Sequence, residues 1–286
     1  MNYKFDLDEW LPRFPLKPQH GHYSGEIITG PGHICNNEHL RCEMQDEFEW
    51  GRAVPVDIFV MANGEPEHRW ATKIGGLPYR SADEDWPTTA DGKPLTFVGQ
   101  FNFSDSKDIV GELPSDLLLI FSDNSDGPFD PIHFEWQPLG LTELIHRPQL
   151  PRLLYDLPPC YGHVFRTANF PAVKRRVPSD IEQAPMCRGL EVWSSYFVPN
   201  YQATQIGGAP YFIQKDDDCL PGRIVCTISS PMPDQHSAYP WLNHPEPLQP
   251  EGKWSFDHKY LMIGDAGCIY ISIGDDGQLH YGESCD

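Results

Sequence analysis

His133 and Glu135 are the two side chains whose types and spacing could together move a proton. They lie two residues apart in a stretch, 132–136, whose alternation of apolar and polar residues predicts a β-strand, so both project from one face. An imidazole beside a carboxylate is a common pair in general acid–base catalysis. No third group in the sequence is placed to orient the pair, which favours a solvent-exposed strand face over a catalytic site.

Four possible metal ligands lie within ten residues near the N-terminus: His33, Cys35, His39 and Cys42. Imidazole and thiolate both suit zinc, but zinc modules usually separate two pairs of ligands by a longer loop. Asn36 or Asn37 could also cap a helix running to about Trp50, and this helix would divide the group. We therefore predict one helix in this region, and no metal or other cofactor.

Two acidic turns could bind a metal ion or a basic partner. Their acidic residues are Asp123 and Asp126 in the first turn and Asp216, Asp217 and Asp218 in the second. Neither turn continues into the twelve-residue pattern of a calcium-binding loop. We therefore predict that both turns contact a partner, together with Trp241 in the long proline-rich stretch 231–250.

The chain is organised around two similar stretches, 72–79 and 204–211, which we call the Gly-Gly motifs. They are identical at six of eight positions and lie 132 residues apart, which suits a duplicated half-domain. A Gly-Gly pair accepts positive φ at little cost, and the following proline fixes the backbone. We predict a structural turn in each motif, with a tyrosine that covers the turn and keeps its hydroxyl in solvent. The turn residues are Gly75, Gly76 and Pro78, and Gly207, Gly208 and Pro210.

Short strands dominate the rest of the pattern. Apolar residues alternate over 54–61 and 95–103, the run 117–121 is apolar throughout, and Asn63-Gly64 is a hairpin turn signal. The sequence therefore predicts a mainly β (α+β) fold of two tandem related half-domains, with mostly antiparallel sheet and few helices. We place an extension at 1–53 and the halves at 54–150 and 151–286, and we expect two related sheets that pack through a shared core.

Charge limits the classes of partner. The chain has 21 basic and 41 acidic residues, a net charge of −20, and a pI near 4.8. Such a surface repels nucleic acid and anionic membranes and attracts basic proteins. No apolar run is long enough for a membrane helix, and the N-terminal residues lack the pattern of an export signal. These features predict a cytoplasmic protein with reduced thiols.

The first Gly-Gly motif also begins a resemblance to a known family. Together with Trp86-Pro87 and the stretches 94–101, 113–121, 210–214 and 264–270, it resembles the YwqG-like bacterial domain of unknown function. That domain is related to eukaryotic programmed cell death protein 2. The resemblance runs from about residue 54 to the C-terminus. It implies either an immunity protein encoded near a toxin system or a dedicated escort for a basic small-subunit ribosomal protein.

Three functions therefore remain open, as does a housekeeping protein with no strong partner. The leading hypothesis is a non-catalytic protein that sequesters a basic protein, most plausibly as an immunity protein neutralising a nuclease-type toxin. A chaperone for a basic ribosomal protein is the alternative in the same class. An RNA-processing hydrolase is the alternative from a different class, although the sequence contains neither G-x-S-x-G nor H-E-x-x-H.

Overall fold

A computed structural model describes residues 48–50, 54–123, 132–151, 157–169, 172–175, 203–208, 220–232, 248 and 259–285. These residues form twelve strands, one short helix and one turn of 3-10 helix. The strands are β1 Phe48–Trp50, β2 Val54–Asn63, β3 Lys73–Ile74, β4 Thr96–Asn102, β5 Leu117–Ser122, β6 Ile132–Gln137, β7 Cys160–Asn169, β8 Ala172–Arg175, β9 Thr204–Gly207, β10 Arg223–Ser229, β11 Cys268–Ile273 and β12 Leu279–Ser284. The helix α1 is Lys107–Val110, and the 3-10 turn is Arg147–Gln149. Among the described residues, no helix is long and apolar enough to cross a membrane.

Ten of these strands form one sheet in which all neighbours are antiparallel. Their order is β12-β11-β10-β9-β2-β7-β3-β4-β5-β6, and β1 and β8 pair separately. The prediction of a mainly antiparallel β fold with few helices is confirmed in the part of the chain that the structure describes. Strands from both predicted halves share the single large sheet, in place of the two sheets we expected. The division into half-domains stays a prediction.

The two Gly-Gly motifs enter this sheet in matching ways. β3 lies between β7 and β4, and β9 lies between β2 and β10. At the end of each strand the motif has two glycines with positive φ: Gly75 and Gly76, which follow β3, at 66° and 71°, and Gly207 and Gly208, the last residue of β9 and the next, at 67° and 71°. L side chains rarely adopt these angles, so the backbone itself accounts for glycine at all four positions.

The sheet curls until its two edge strands approach each other. The amide of Ile132 on β6 donates to the hydroxyl of Tyr281 on β12 at 3.4 Å, and the rings of Phe134 and Tyr281 meet edge to face. The enclosed space is filled by apolar side chains from most strands, among them Met61, Phe101 and Ile269. In the described residues, the interior of the sheet is therefore a packed apolar core.

Two local predictions are wrong. The helix expected to run to about Trp50 does not reach it, because Phe48–Trp50 is β1, which pairs with β8; the earlier part of that helix lies outside the described residues. The Asn63-Gly64 signal ends β2 without forming a hairpin. β2 already pairs with β7 along one edge and with β9 along the other, so the following segment has no free edge to join.

Candidate partner-binding surface

Asp83, Glu84 and Asp85 form an exposed acidic loop that follows the first Gly-Gly motif; we call it the first acidic loop. The sequence predicts a polar loop over residues 81–94 but did not single out its acidic residues as a binding site, although a signal was present. Shifting Glu84 and Asp85 by the 132-residue offset of the motifs gives Asp216 and Asp217. Acidic residues therefore follow both motifs at the same distance.

Arg80 fixes the backbone of the first acidic loop. Its side chain is only 3% exposed. The guanidinium donates to the carbonyl oxygens of Glu84 at 2.9 Å and Asp85 at 2.5 Å, and to both carboxylate oxygens of Glu135 on β6. The planar guanidinium suits this role because it presents several donors in a fixed geometry. Arg80 thus ties the backbone of the loop to the sheet. The side chains of the loop therefore project from a fixed backbone.

Aromatic residues on either side of the loop anchor it to the outer face of β4 and β5. The indole nitrogen of Trp86 donates to the carbonyl of Leu95 at 2.8 Å, and the indole packs edge to face on Phe121. Tyr79 is 3% exposed, and its hydroxyl accepts the backbone amides of Gly140 and Leu141 at 3.0 and 2.9 Å. The expectation of a solvent-exposed hydroxyl is therefore wrong for this tyrosine. The same packing covers the outer face of β4, which alternation had predicted to be half-buried.

Glu65 ties the first Gly-Gly motif to its neighbours. Its carboxylate accepts the Lys73 ammonium at 2.9 Å and the backbone amide of Leu77 at 2.8 Å. The Lys73 side chain is fully buried, and this burial lowers the pKa of Lys73, while the charge of Glu65 opposes the shift. A Cβ at Gly76 would lie 2.2 Å from the Glu65 carboxylate, so close approach is a second reason for glycine there.

The carboxylates of the first acidic loop are largely left for solvent or a partner. Asp83 and Asp85 form no ion pair or side-chain hydrogen bond with their carboxylates in the described part of the chain, whereas Glu84 accepts the amide of Gln137 at 2.8 Å. Glu143 is also exposed, and its carbonyl accepts the amide of Ala82 at the start of the loop. Several described cations are already paired: Lys73 with Glu65, Lys93 with Asp91, Lys107 with Asp116, and Arg166 with Asp57. The surface around the loop therefore carries surplus negative charge.

The His133–Glu135 pair has a structural role. Glu135 is 17% exposed and holds Arg80 with both carboxylate oxygens, while His133 lies 3.5 Å from it and is about half exposed. A carboxylate that already accepts two N–H groups from a buried guanidinium is poorly placed to accept a substrate proton. Glu135 is therefore not a carboxylate left free to act as a base. It also does not lie on the solvent-exposed strand face that we predicted.

Only some of the other predicted site residues lie in the described part of the chain. Asp123 follows the end of β5 and is half-buried. The remaining residues that the sequence analysis considered lie outside the described residues. They are the predicted partner contacts Asp126, Asp216, Asp217, Asp218 and Trp241, the turn residue Pro210, and the four possible metal ligands His33, Cys35, His39 and Cys42. Within the ranges that the structure does describe, no three His, Cys, Asp or Glu residues are grouped as metal ligands would be.

Comparison with known proteins finds a family similarity over part of this surface. No curated protein matches the chain. A match to a family model begins at Thr72, the first residue of the first Gly-Gly motif, and ends at Gln137, the last residue of β6. It therefore includes Arg80, the first acidic loop and Glu135, but less than a quarter of the chain. Over residues 72–137, the sequence is similar to a domain of unknown function (DUF1963).

Proposed function

We propose that this chain is a YwqG-like cytoplasmic protein that binds and sequesters a basic protein and carries out no catalysis. The client we propose is a nuclease-type toxin, which would make the chain an immunity protein. A nuclease must itself bind phosphate backbones through lysine and arginine. A carboxylate-rich surface could cover the same side chains and block nucleic acid from them.

The observation that carries this proposal is the first acidic loop and its support. In the part of the chain that the structure describes, Asp83 and Asp85 pair with no cation, and Arg80 fixes the backbone beneath them through two carbonyl oxygens. A fixed loop loses little conformational entropy when a partner binds. Charges at the rim of an interface chiefly raise the association rate and select partners of opposite charge.

Neutralising the loop tests the proposal. We expect wild-type protein to bind a fluorescein-labelled nine-residue arginine peptide in fluorescence anisotropy at low ionic strength, and to bind it less tightly as salt is raised. The variant Asp83→Asn/Asp85→Asn should raise the Kd by about three- to tenfold, given that each exposed ion pair contributes about 0.2–1 kcal/mol.

A matched control separates the loop from net charge. Asp265→Asn/Asp275→Asn removes two exposed acidic residues elsewhere and changes the net charge equally. We expect this control to change the Kd less than twofold. An equal loss of affinity in both double variants would show that overall charge alone attracts the peptide, and the loop would then have no special role.

A further inference from the structure

Trp70 is a large apolar side chain that the fold holds in solvent. It is 41% exposed, and the His68 ring stacks on it with centroids 4.5 Å apart and an interplanar angle of 8°. An exposed indole forgoes much of the favourable burial of its surface. We call this pair the His68–Trp70 platform.

The backbone beneath the platform is fixed. The side-chain amide of Gln100 is 1% exposed and donates to the carbonyls on either side of Trp70, at 2.7 Å to Arg69 and 2.9 Å to Ala71. The amide of Ala71 donates back to the carbonyl of His68 at 3.0 Å. These hydrogen bonds therefore hold Trp70 in its exposed position. A partner that stacks on the indole meets a preorganised surface.

The charges around the platform favour a cation over an anion. The neighbouring guanidinium of Arg69 keeps its charge, but it donates to the carbonyl of Pro78 at 2.6 Å and lies near enough to Glu65 for the two opposite charges to interact. Glu67 lies next to His68, is exposed, and forms no ion pair in the described part of the chain. An exposed aromatic face suits a guanidinium, which stacks on the ring, and Glu67, three residues before Trp70, adds a negative charge to the same segment.

The platform and the first acidic loop are tied to neighbouring residues of one segment. Arg69 bonds to Pro78, and Arg80, two residues further along, bonds to the carbonyls of Glu84 and Asp85. Two residues of extended chain span at most about 7 Å. Both features are therefore linked by hydrogen bonds to the same short stretch of backbone.

We propose that the His68–Trp70 platform binds an arginine side chain of the basic client, with the guanidinium stacked on the Trp70 indole and close to Glu67. This inference rests on the proposed function and adds the site and the residue type that it recognises. It predicts a preference for arginine over lysine, because the planar guanidinium stacks on an aromatic ring and the ammonium is a compact, strongly hydrated charge.

Two peptides and two variants of the full chain test this proposal. Labelled nine-residue arginine and lysine peptides are titrated into wild type, Trp70→Ala and Leu139→Ala; Leu139 is a comparably exposed apolar residue elsewhere, at 37%. We expect wild type to prefer the arginine peptide, and Trp70→Ala to weaken that peptide about two- to fivefold and abolish the preference. Leu139→Ala should leave both Kd values unchanged, and Trp70→Phe should retain part of the preference.

The outcomes separate this inference from the proposed function. If Trp70→Ala keeps both the affinity and the preference while Asp83→Asn/Asp85→Asn still weakens binding, the platform is not the site and the proposed function stands. If wild type binds neither peptide at low ionic strength, both proposals are wrong. If circular dichroism shows that Trp70→Ala does not fold, the folded variants Trp70→Phe and His68→Ala replace it. An unchanged preference for the arginine peptide in both of these variants would show that the platform is not the binding site.

Discussion

Removing the Glu65 carboxylate should leave the buried Lys73 ammonium without its ion-pair partner. In Glu65→Ala the Lys73 ammonium keeps its fully buried position but loses the partner that lies 2.9 Å away. Removing one partner of a buried ion pair costs about 3–5 kcal/mol. Because the Glu65 side chain is 35% exposed, water can reach the gap, and we expect the lower end, about 3 kcal/mol. Urea denaturation followed by circular dichroism measures this loss.

The pH dependence of the loss identifies Lys73 as its origin. Burial already lowers the pKa of Lys73 from 10.5, and removing Glu65 lowers it further. Between the folded pKa and 10.5 the unfolded chain binds a proton that the folded chain does not, so stability rises with pH in this window. The deficit of Glu65→Ala relative to wild type should therefore shrink as pH rises towards 10.

Two variants check the same reasoning at neutral pH. Glu65→Ala/Lys73→Met removes both charges and should lose less stability than Glu65→Ala alone, since no buried charge is left unpaired. Glu67→Ala alters an exposed neighbour and should change the unfolding free energy by less than about 0.5 kcal/mol. A Glu65→Ala deficit that is unchanged by pH and by Lys73→Met would refute the buried ion pair as the cause.

Three further perturbations have definite expected results. Gly75→Ala should lower the unfolding free energy, measured by urea denaturation, by at least about 2 kcal/mol, since φ is 66° and the new Cβ would lie 2.6 Å from a backbone oxygen. Gly92→Ala has positive φ but open space around the new Cβ, and should lower it by only about 1 kcal/mol. Equal losses in the two variants would contradict the close approach at Gly75. Tyr79→Phe should cost about 1–3 kcal/mol by the same assay, because two backbone amides lose their acceptor, and a neutral change would show that water replaces the hydroxyl. Burial raises the pKa of the Cys160 thiol, so mass-spectrometric mapping of maleimide labelling should find it far slower to react than the half-buried Cys285, and faster labelling of Cys160 would be contrary to its burial.

The strands were predictable where the two-residue period is long or the apolar run unbroken. Alternation located β2 and β4, and the apolar run 117–121 located β5, which spans Leu117–Ser122. The two-residue strand β3 is too short to carry a period, and only its glycines marked it. Local pattern therefore predicted the fold class and several of its strands.

Strand order was not predictable from local signals. β2 pairs with β7 about a hundred residues away, and that pairing is what prevents the expected hairpin at Asn63-Gly64. The helix predicted to reach Trp50 failed for a similar reason, because β8 supplies a distant strand partner for its last residues. Both errors arise where a long-range pairing overrides a local preference.

The candidate surface was harder to predict than the fold. Net charge indicated a basic partner, but nothing local marks Arg80 as the residue that holds the carbonyls of the first acidic loop. Its partner Glu135 lies 55 residues away in the chain. The pattern at His133 and Glu135 instead suggested catalysis or a solvated face, because a sequence does not show which carboxylate is already engaged.

Affinity capture from the native cell tests the proposed sequestration most directly. The full chain, immobilised at low and then physiological salt, should retain one small basic protein in stoichiometric amount, and Asp83→Asn/Asp85→Asn should reduce that yield while Asp265→Asn/Asp275→Asn does not. Recovery of no protein of high isoelectric point, or equal recovery by both double variants, would contradict the proposed binding to the first acidic loop.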